Sequence, residues 1–433
     1  MGLQRWSPFF YLFLKITEYV FGVPDIRLYI CNIEKREGYS SDHQKGSKMN
    51  TFEFENETLS GAVEKMRDLR QRQVDVVAPI HSLKMLPTGE VILEGVENVP
   101  GGNLMFTRSE VADEQIAAKL KIPRKYWERM VQQRPTLAAE NFNHWIQQEL
   151  ETKGEEKTRR VFLRSYLQEA GGNMGKLRAM LSDRYMPIDT LSMLAAAVKA
   201  CAEAQERGVK LVVDRCDLSE KGFYARFVAP DIRTEAREAL MNFEDPNGGA
   251  FGGVGRDYGV TTGFILRNSE LGHGQAEILP LCYIRACNNN MIWRNEGFQR
   301  KHLGAKMEEA YYQKDTLEAN MDTVLKQIRD NVNHFLSPDY LGKFVKEIEE
   351  MAAIRISEPK AFFAGMGREM RLSDSEQEGI FDAFLKSGST RTVFDAAQAV
   401  TSYAHHVNPD RRFELESQVF DMKEIALKIQ GQN

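Results

Sequence analysis

Between Asn56 and Arg72 the apolar residues Leu59, Ala62, Met66 and Leu69 recur in steps of three and four, a spacing that predicts a helix. The step then shortens. Val74, Val76, Val77 and Ile80 predict a strand, Pro-Thr-Gly at 87–89 a turn, and VILEGV a second extended segment. RSEVADEQIAAKLKIPRKYWERMV predicts two short helices, with Ser109 capping the first and Pro123 opening the second. The charged run ETKGEEKTRR, 151–160, predicts a solvated loop that closes this N-terminal unit.

The middle of the chain changes period. VFLRSYL (161–167) and KLRAMLSDRY (176–185) predict strands joined by QEAGGNMG. DTLSMLAAAVKACAEAQERG predicts a helix ended by glycine, with Asp189 or Thr190 as its cap. VKLVVDRCDL and GFYARFVAP alternate as paired strands around Ser-Glu-Lys-Gly. YGVTTGFILRNSELG and EILPLCYIRACN predict a second hairpin. The last third is helical in pattern. Leu317, Met321, Val324, Ile328, Val332 and Phe335 form a stripe suited to a long helix packed on a partner, within the fold or between subunits. Ser373 and Glu376 form a predicted capping box before IFDAFL. The fold class expected is therefore α+β: a mixed α/β part at 49–155, a central antiparallel sheet with a packed helix at 156–305, and a helical part at 306–433.

At 433 residues and 42% hydrophobic content, the chain can bury more than one core. Its net charge of −5 and pI near 6.0 argue against a globally basic nucleic-acid binder. Local basic grooves stay open, since the field near a groove outweighs the total. Cys31, Cys201, Cys216, Cys282 and Cys287 are odd in number and irregular in spacing, with no Cys-x-x-Cys. That pattern predicts a reducing, cytoplasmic setting. Residues 1–48 do not match the rest. Their longest uncharged piece, Trp6 to Leu14, is far short of the ~20 residues a membrane helix needs, and no small-residue cleavage site follows it. The expectation is an over-extended start or a dispensable arm, with Met49 opening the soluble part; the rival is an interfacial or partner-binding segment.

Familiar chemistry is missing. The glycine loop PNGGAFGGVGRDYG lacks Gly-Lys-Ser/Thr, and Tyr258 stands where a dinucleotide fingerprint needs its third glycine. A flexible hairpin loop is expected there; in the functional alternative, its free amides and Arg256 close over a phosphate backbone. His273, Cys282, Cys287 and His302 fit no zinc spacing, and Cys282 sits in an apolar strand, so neither a metal nor a cofactor is expected. Gly-x-Ser-x-Gly and His-Glu-x-x-His do not occur, which leaves an enzyme without positive support, though dispersed catalytic residues remain an alternative. His405 and His406 point to different faces of one helix, and one is expected at its C-terminus, where a cationic imidazole is favoured.

Two strand ends carry the candidate chemistry. LSDRYMPIDT ends a strand with Arg184 and Tyr185. RACNNNMIWRNEGFQRKHLG ends another with Arg285 and three asparagines, followed by Arg294, Arg300, Lys301 and His302. Asparagine tolerates turn geometry, so at least two of the three are expected simply to terminate the strand, and Trp293 is expected in the core. The functional alternative is single-stranded nucleic-acid binding. Arg184, Arg285, Arg294, Arg300 and Lys301 would neutralise phosphates, Tyr185 would stack on a base, and Asn288 and Asn290 would contact backbone or base edges.

LSDRYMPIDT, FILRNSELGHGQAEILPLCYIRACNNNMI with QRKHLG, and TVFDAAQAVTSYAHH resemble, in order, segments of the phage- and plasmid-borne family catalogued as domain of unknown function 932. The resemblance runs over roughly residues 60–429. Family members usually show Cys-Thr-Asn-Gly where this chain has Cys-Asn-Asn-Asn at 287–290. They often have tryptophan near Phe394, and Asn-Ala in place of Gln398-Ala399, which implies a divergent branch. The resemblance implies a mobile-element protein inside a bacterial cell and no defined activity. A strand–strand–helix–strand–strand centre is similar in element order to the core of phage single-strand annealing proteins. The leading expectation is thus a non-catalytic single-stranded DNA binder, possible as a homo-oligomer. The alternative is a module that binds a host or phage protein through the 317–335 stripe.

Overall fold

The computed structural model describes residues 34–35, 52–96, 102–185, 187–241, 258–300, 314–386 and 391–431. The fold is α+β, with two sheets and a helical C-terminal third. Leu59, Ala62, Met66 and Leu69 are all buried on α1 (Leu59–Gln71), whose cap Thr58 accepts the Gly61 N–H. The first sheet contains β3 (Gln73–Pro79), β4 (Leu83–Met85), β5 (Val91–Glu94), β6 (Asn103–Arg108), β7 (Arg160–Leu167) and β8 (Met174–Ser182), in the order β3-β7-β8-β6-β5-β4. Three helices share its core: α2 (Glu110–Leu120), capped by Ser109; α3 (Arg124–Gln133), opened by Pro123; and α4 (Pro135–Lys153). Ile116, Trp127, Phe142 and Ile146 meet Leu104, Phe106, Val161 and Leu163 there. The expected loop at 151–160 is shorter, because α4 runs to Lys153 and β7 begins at Arg160.

β7 and β8 lie in this first sheet and not in a central one. Alternation marks a strand as half-buried but does not name its neighbour. β8 pairs in parallel with the distant β6, Met105 opposite Met174. The expected strand–strand–helix–strand–strand unit is therefore divided between two sheets.

The second sheet is a meander of β9 (Val212–Leu218), β10 (Phe223–Glu235), β11 (Gly259–Asn268) and β12 (Ala276–Ile284). β2 (Phe54–Glu57) and, in parallel, β1 (Glu34–Lys35) pair with the outer side of β9. β13 (Asn289–Ile292) and β14 (Phe298–Arg300) pair with the outer side of β12. Phe223, Ala225, Phe227 and Ala229 face the main core; Tyr224, Arg226 and Val228 alternate to the other side. The main core is completed by α5 (Thr190–Glu206, capped by Asp189), α7 (Lys314–Phe335), α8 (Pro338–Ala353), α9 (Pro359–Glu369), α10 (Asp374–Lys386), α11 (Val393–Ala404) and α13 (Met422–Gln430). The short α6 (Arg237–Leu240) follows β10, and α12 (Pro409–Glu416) covers the opposite sheet face through Phe413.

Val324, Ile328, Val332 and Phe335 are fully buried within one chain, against α5, β11 and β12. The described part of the stripe is internal core, so it offers no surface to a protein partner; the side chains of Leu317 and Met321 lie outside the described residues. No helix among the described residues is long and apolar enough to cross a membrane.

Candidate nucleic-acid interface

Only one of the three asparagines terminates a strand. Asn288 adopts the left-handed conformation (φ 57°) that turns the chain from β12 into β13, and its side-chain oxygen accepts a hydrogen bond from the Tyr283 hydroxyl. Asn289 and Asn290 begin β13, opposite Ile284 and Tyr283. Asn289 is buried and donates from Nδ2 to Gln398 Oε1 at 2.9 Å. Gln398 also accepts from the Cys287 thiol at 3.4 Å. Asn290 is buried on the other face, where it cannot reach a base edge. Sequence reasoning underestimated β13 because an asparagine run resembles a turn until α11 supplies its partner. Cys287 and Asn289 thus meet Gln398, which lies far from them along the sequence.

Tyr185 is also not free to stack on a base. It packs beside Leu181 and Leu271, donates its hydroxyl to the Ser269 carbonyl at 3.3 Å and accepts the Gly272 N–H at 3.1 Å. Burial pushes its phenol pKa up. It thus fastens the end of β8 to the β11–β12 turn. Arg184 beside it is exposed. Trp293 is partly buried, stacked on Phe420 at 5.0 Å and tilted on Phe344 at 5.7 Å, as expected of a core residue.

The strand-end candidates fall into two groups. Arg285 and Asn288 stand at the end of β12 near Ile284. Arg294 and Arg300 stand near its other end, beside Glu277 and Ala276, as does the turn that holds Tyr185. β12 has nine residues, so at ~3.3 Å per residue its ends are roughly 26 Å apart. Arg256, Lys301 and His302 lie outside the described residues, as does most of the glycine loop.

Buried charge is concentrated in two networks. At the seam between the sheets, Arg164 of β7 donates to Asp75 of β3 at 3.1 Å and to the Glu270 carbonyl at 3.0 Å, with the Glu270 carboxylate also 3.0 Å away. Glu270 accepts the Thr190 N–H at 2.8 Å. Burial alone would raise the Glu270 pKa, but Arg164 and Arg178 outweigh it and hold the group at about 2. The α5 cap Asp189 is raised, by burial and by the charge of Glu270. On the face under α12, Arg226 bridges Asp217 (3.3 Å) and Glu416 (2.8 Å), Arg267 binds Glu277 (2.7 Å), and Tyr224 donates to Asp410 (2.6 Å). The Phe413 ring lies under the Arg267 guanidinium at 4.7 Å.

In the second network the carboxylates point inward. Glu277 is wholly buried while its second partner Arg294 keeps 42% of its side chain exposed, so solvent at that rim meets the cation. Among the described residues no group of three or more histidine, cysteine, aspartate or glutamate side chains is placed to hold a metal ion. Cys201, Cys216, Cys282 and Cys287 are all buried free thiols. His405 is the C-cap of α11, as expected for one of the pair, but burial lowers its pKa and keeps the imidazole toward its neutral form. No family model, no curated protein and no solved structure matches this chain.

Proposed function

We propose that this protein is a non-catalytic, cofactor-independent nucleic-acid binder, with single-stranded DNA as the foremost ligand, acting in phage or plasmid DNA metabolism in the bacterial cytoplasm. The setting follows from the resemblance to the domain of unknown function 932 family, which is part of the proposal. The observation that carries the binding reading is the rim near the β11–β12 turn: Arg294 and Arg300 lie at or near the surface while Glu277, the carboxylate that Arg294 binds, is buried. Such a rim presents positive charge to a polyanion despite the net charge of −5. Lys301 continues it in sequence.

The test is binding of labelled oligonucleotides at two salt concentrations to the parent and to an Arg300→Glu/Lys301→Glu variant. The variant is expected to bind more weakly, with a salt slope reduced by about 0.7 for each phosphate it no longer neutralises. Unchanged affinity would remove these residues from the interface. No binding to any nucleic acid at low salt would end the proposal.

A further inference from the structure

A single strand needs an aromatic face that solvent can reach, and Tyr185 and Trp293 are committed to packing. Among the described residues only two phenylalanine, tyrosine or tryptophan side chains are strongly exposed, Tyr126 at 49% and Trp145 at 41%. Both lie on the α3–α4 pair, whose opposite sides are anchored in the first sheet by Trp127, Met130, Phe142 and Ile146. At 100° per residue, that anchoring turns Lys125 and Arg129 outward on α3 with Tyr126 beside them. On α4, Leu137, Asn141 and Trp145 continue from Arg134 in steps of three and four, and so share one side.

The unpaired charge along α3 and at its two ends is positive. Lys121, Lys125, Arg129 and Arg134 are exposed, and none has a carboxylate partner among the described residues; Arg129 only donates to neutral Gln133, at 3.4 Å. Nearby acids are already engaged: Glu110, Glu114 and Glu128 by Arg124, and Glu149 by Arg159 and Lys153. Glu140 and Glu151 are exposed on α4, each about a quarter turn from the side carrying Trp145. Cations whose anions are missing, set beside the exposed Tyr126 ring and in line with Trp145 along α4, match an ordered polyanion with π-faces.

We infer that the α3–α4 face is a binding platform for single-stranded nucleic acid. Lys121, Lys125, Arg129 and Arg134 neutralise phosphates, and Tyr126 and Trp145 stack on bases. The inference rests on the reading of the protein as a nucleic-acid binder and assigns that reading a surface absent from it so far.

The experiment uses the full chain with labelled oligo-dT and a duplex of equal length, at two salt concentrations. Lys125→Glu/Arg129→Glu is expected to weaken binding at least tenfold at low salt and to lower the salt slope by about 1.4, two phosphates at about 0.7 each. Trp145→Ala and Tyr126→Ala are each expected to weaken single-strand binding about tenfold, with a smaller effect on the duplex. Quenching of tryptophan emission by oligo-dT should be reduced in Trp145→Phe. These positions are exposed, so circular dichroism melts should match the parent and separate impaired binding from impaired folding. Parent-like affinity in all these variants, while the parent binds, overturns the platform and leaves the wider reading intact. Equal losses on single strand and duplex in Trp145→Ala overturn the stacking role. A parent that binds no nucleic acid overturns the inference and the reading together.

Discussion

Arg226 sits in the aromatic run GFYARFVAP with no exposed surface, held by Asp217 on β9 and Glu416 on α12. Alternation along β10 tells which way it points, but neither acid is near it in sequence. Removing one member of such a group strands the others in a low-dielectric interior. Arg226→Met is therefore expected to cost about 3–5 kcal/mol in urea unfolding, with much of the loss recovered when Asp217→Asn and Glu416→Gln are added. Glu149 makes a pH prediction. Burial would raise its pKa, but hydrogen bonds from the Arg159 guanidinium and amide and from Lys153 prevail and lower it to about 2. With an unfolded value near ~4.3, its contribution is complete above about pH 4.3 and fades as pH falls toward about 2. Glu149→Gln should show a shallower loss of thermal stability across that window; an unchanged acid limb would sink the assignment.

At the scale of elements, the legible features were those stored in one segment. Ser109, Asp189 and the Ser373–Glu376 box cap the helices they were expected to cap, because a cap is a bond between residues three apart. β13 was missed because the partner that Asn289 donates to, Gln398, is more than a hundred residues away. Tyr185 had the composition of a binding residue and the environment of a clamp. β10 and β11 approach so closely at Gly263 that an added Cβ would lie 2.0 Å from the Phe227 carbonyl oxygen. Backbone cannot yield there as a flexible side-chain end could. Gly263→Ala is expected to cost at least ~1–3 kcal/mol by overpacking, read as a lower urea midpoint; a parent-like midpoint would mean that the strands separate without penalty.

For the whole molecule, the seam decides whether two sheets behave as one body. Arg164, Asp75, Glu270, Thr190 and Asn268 come from both sheets and the start of α5, and Asn268 donates to the Ile188 carbonyl at 2.7 Å and to Thr190 Oγ1 at 2.9 Å. Arg164→Ala leaves Asp75 buried without its cation and Glu270 with only Arg178 to offset its charge. It is expected to destabilise by about 3–5 kcal/mol and to split a single calorimetric transition into two. A parent-like single transition would show that apolar packing alone joins the sheets.

By itself the sequence determined the α+β class, most helices and strands, their caps and their buried sides. Each of these reflects the local rule that one face of an element avoids water. It also marked the basic strand ends as chemically unusual. Tertiary structure decided that β7 and β8 join the first sheet, that Asn289, Asn290 and Tyr185 turn inward, and that Tyr126 and Trp145 remain outside. Exposure and partnership depend on what distant segments cover. RKYWERMV reads as an ordinary amphipathic helix until the sheet beneath takes Trp127 and leaves Tyr126 to the solvent.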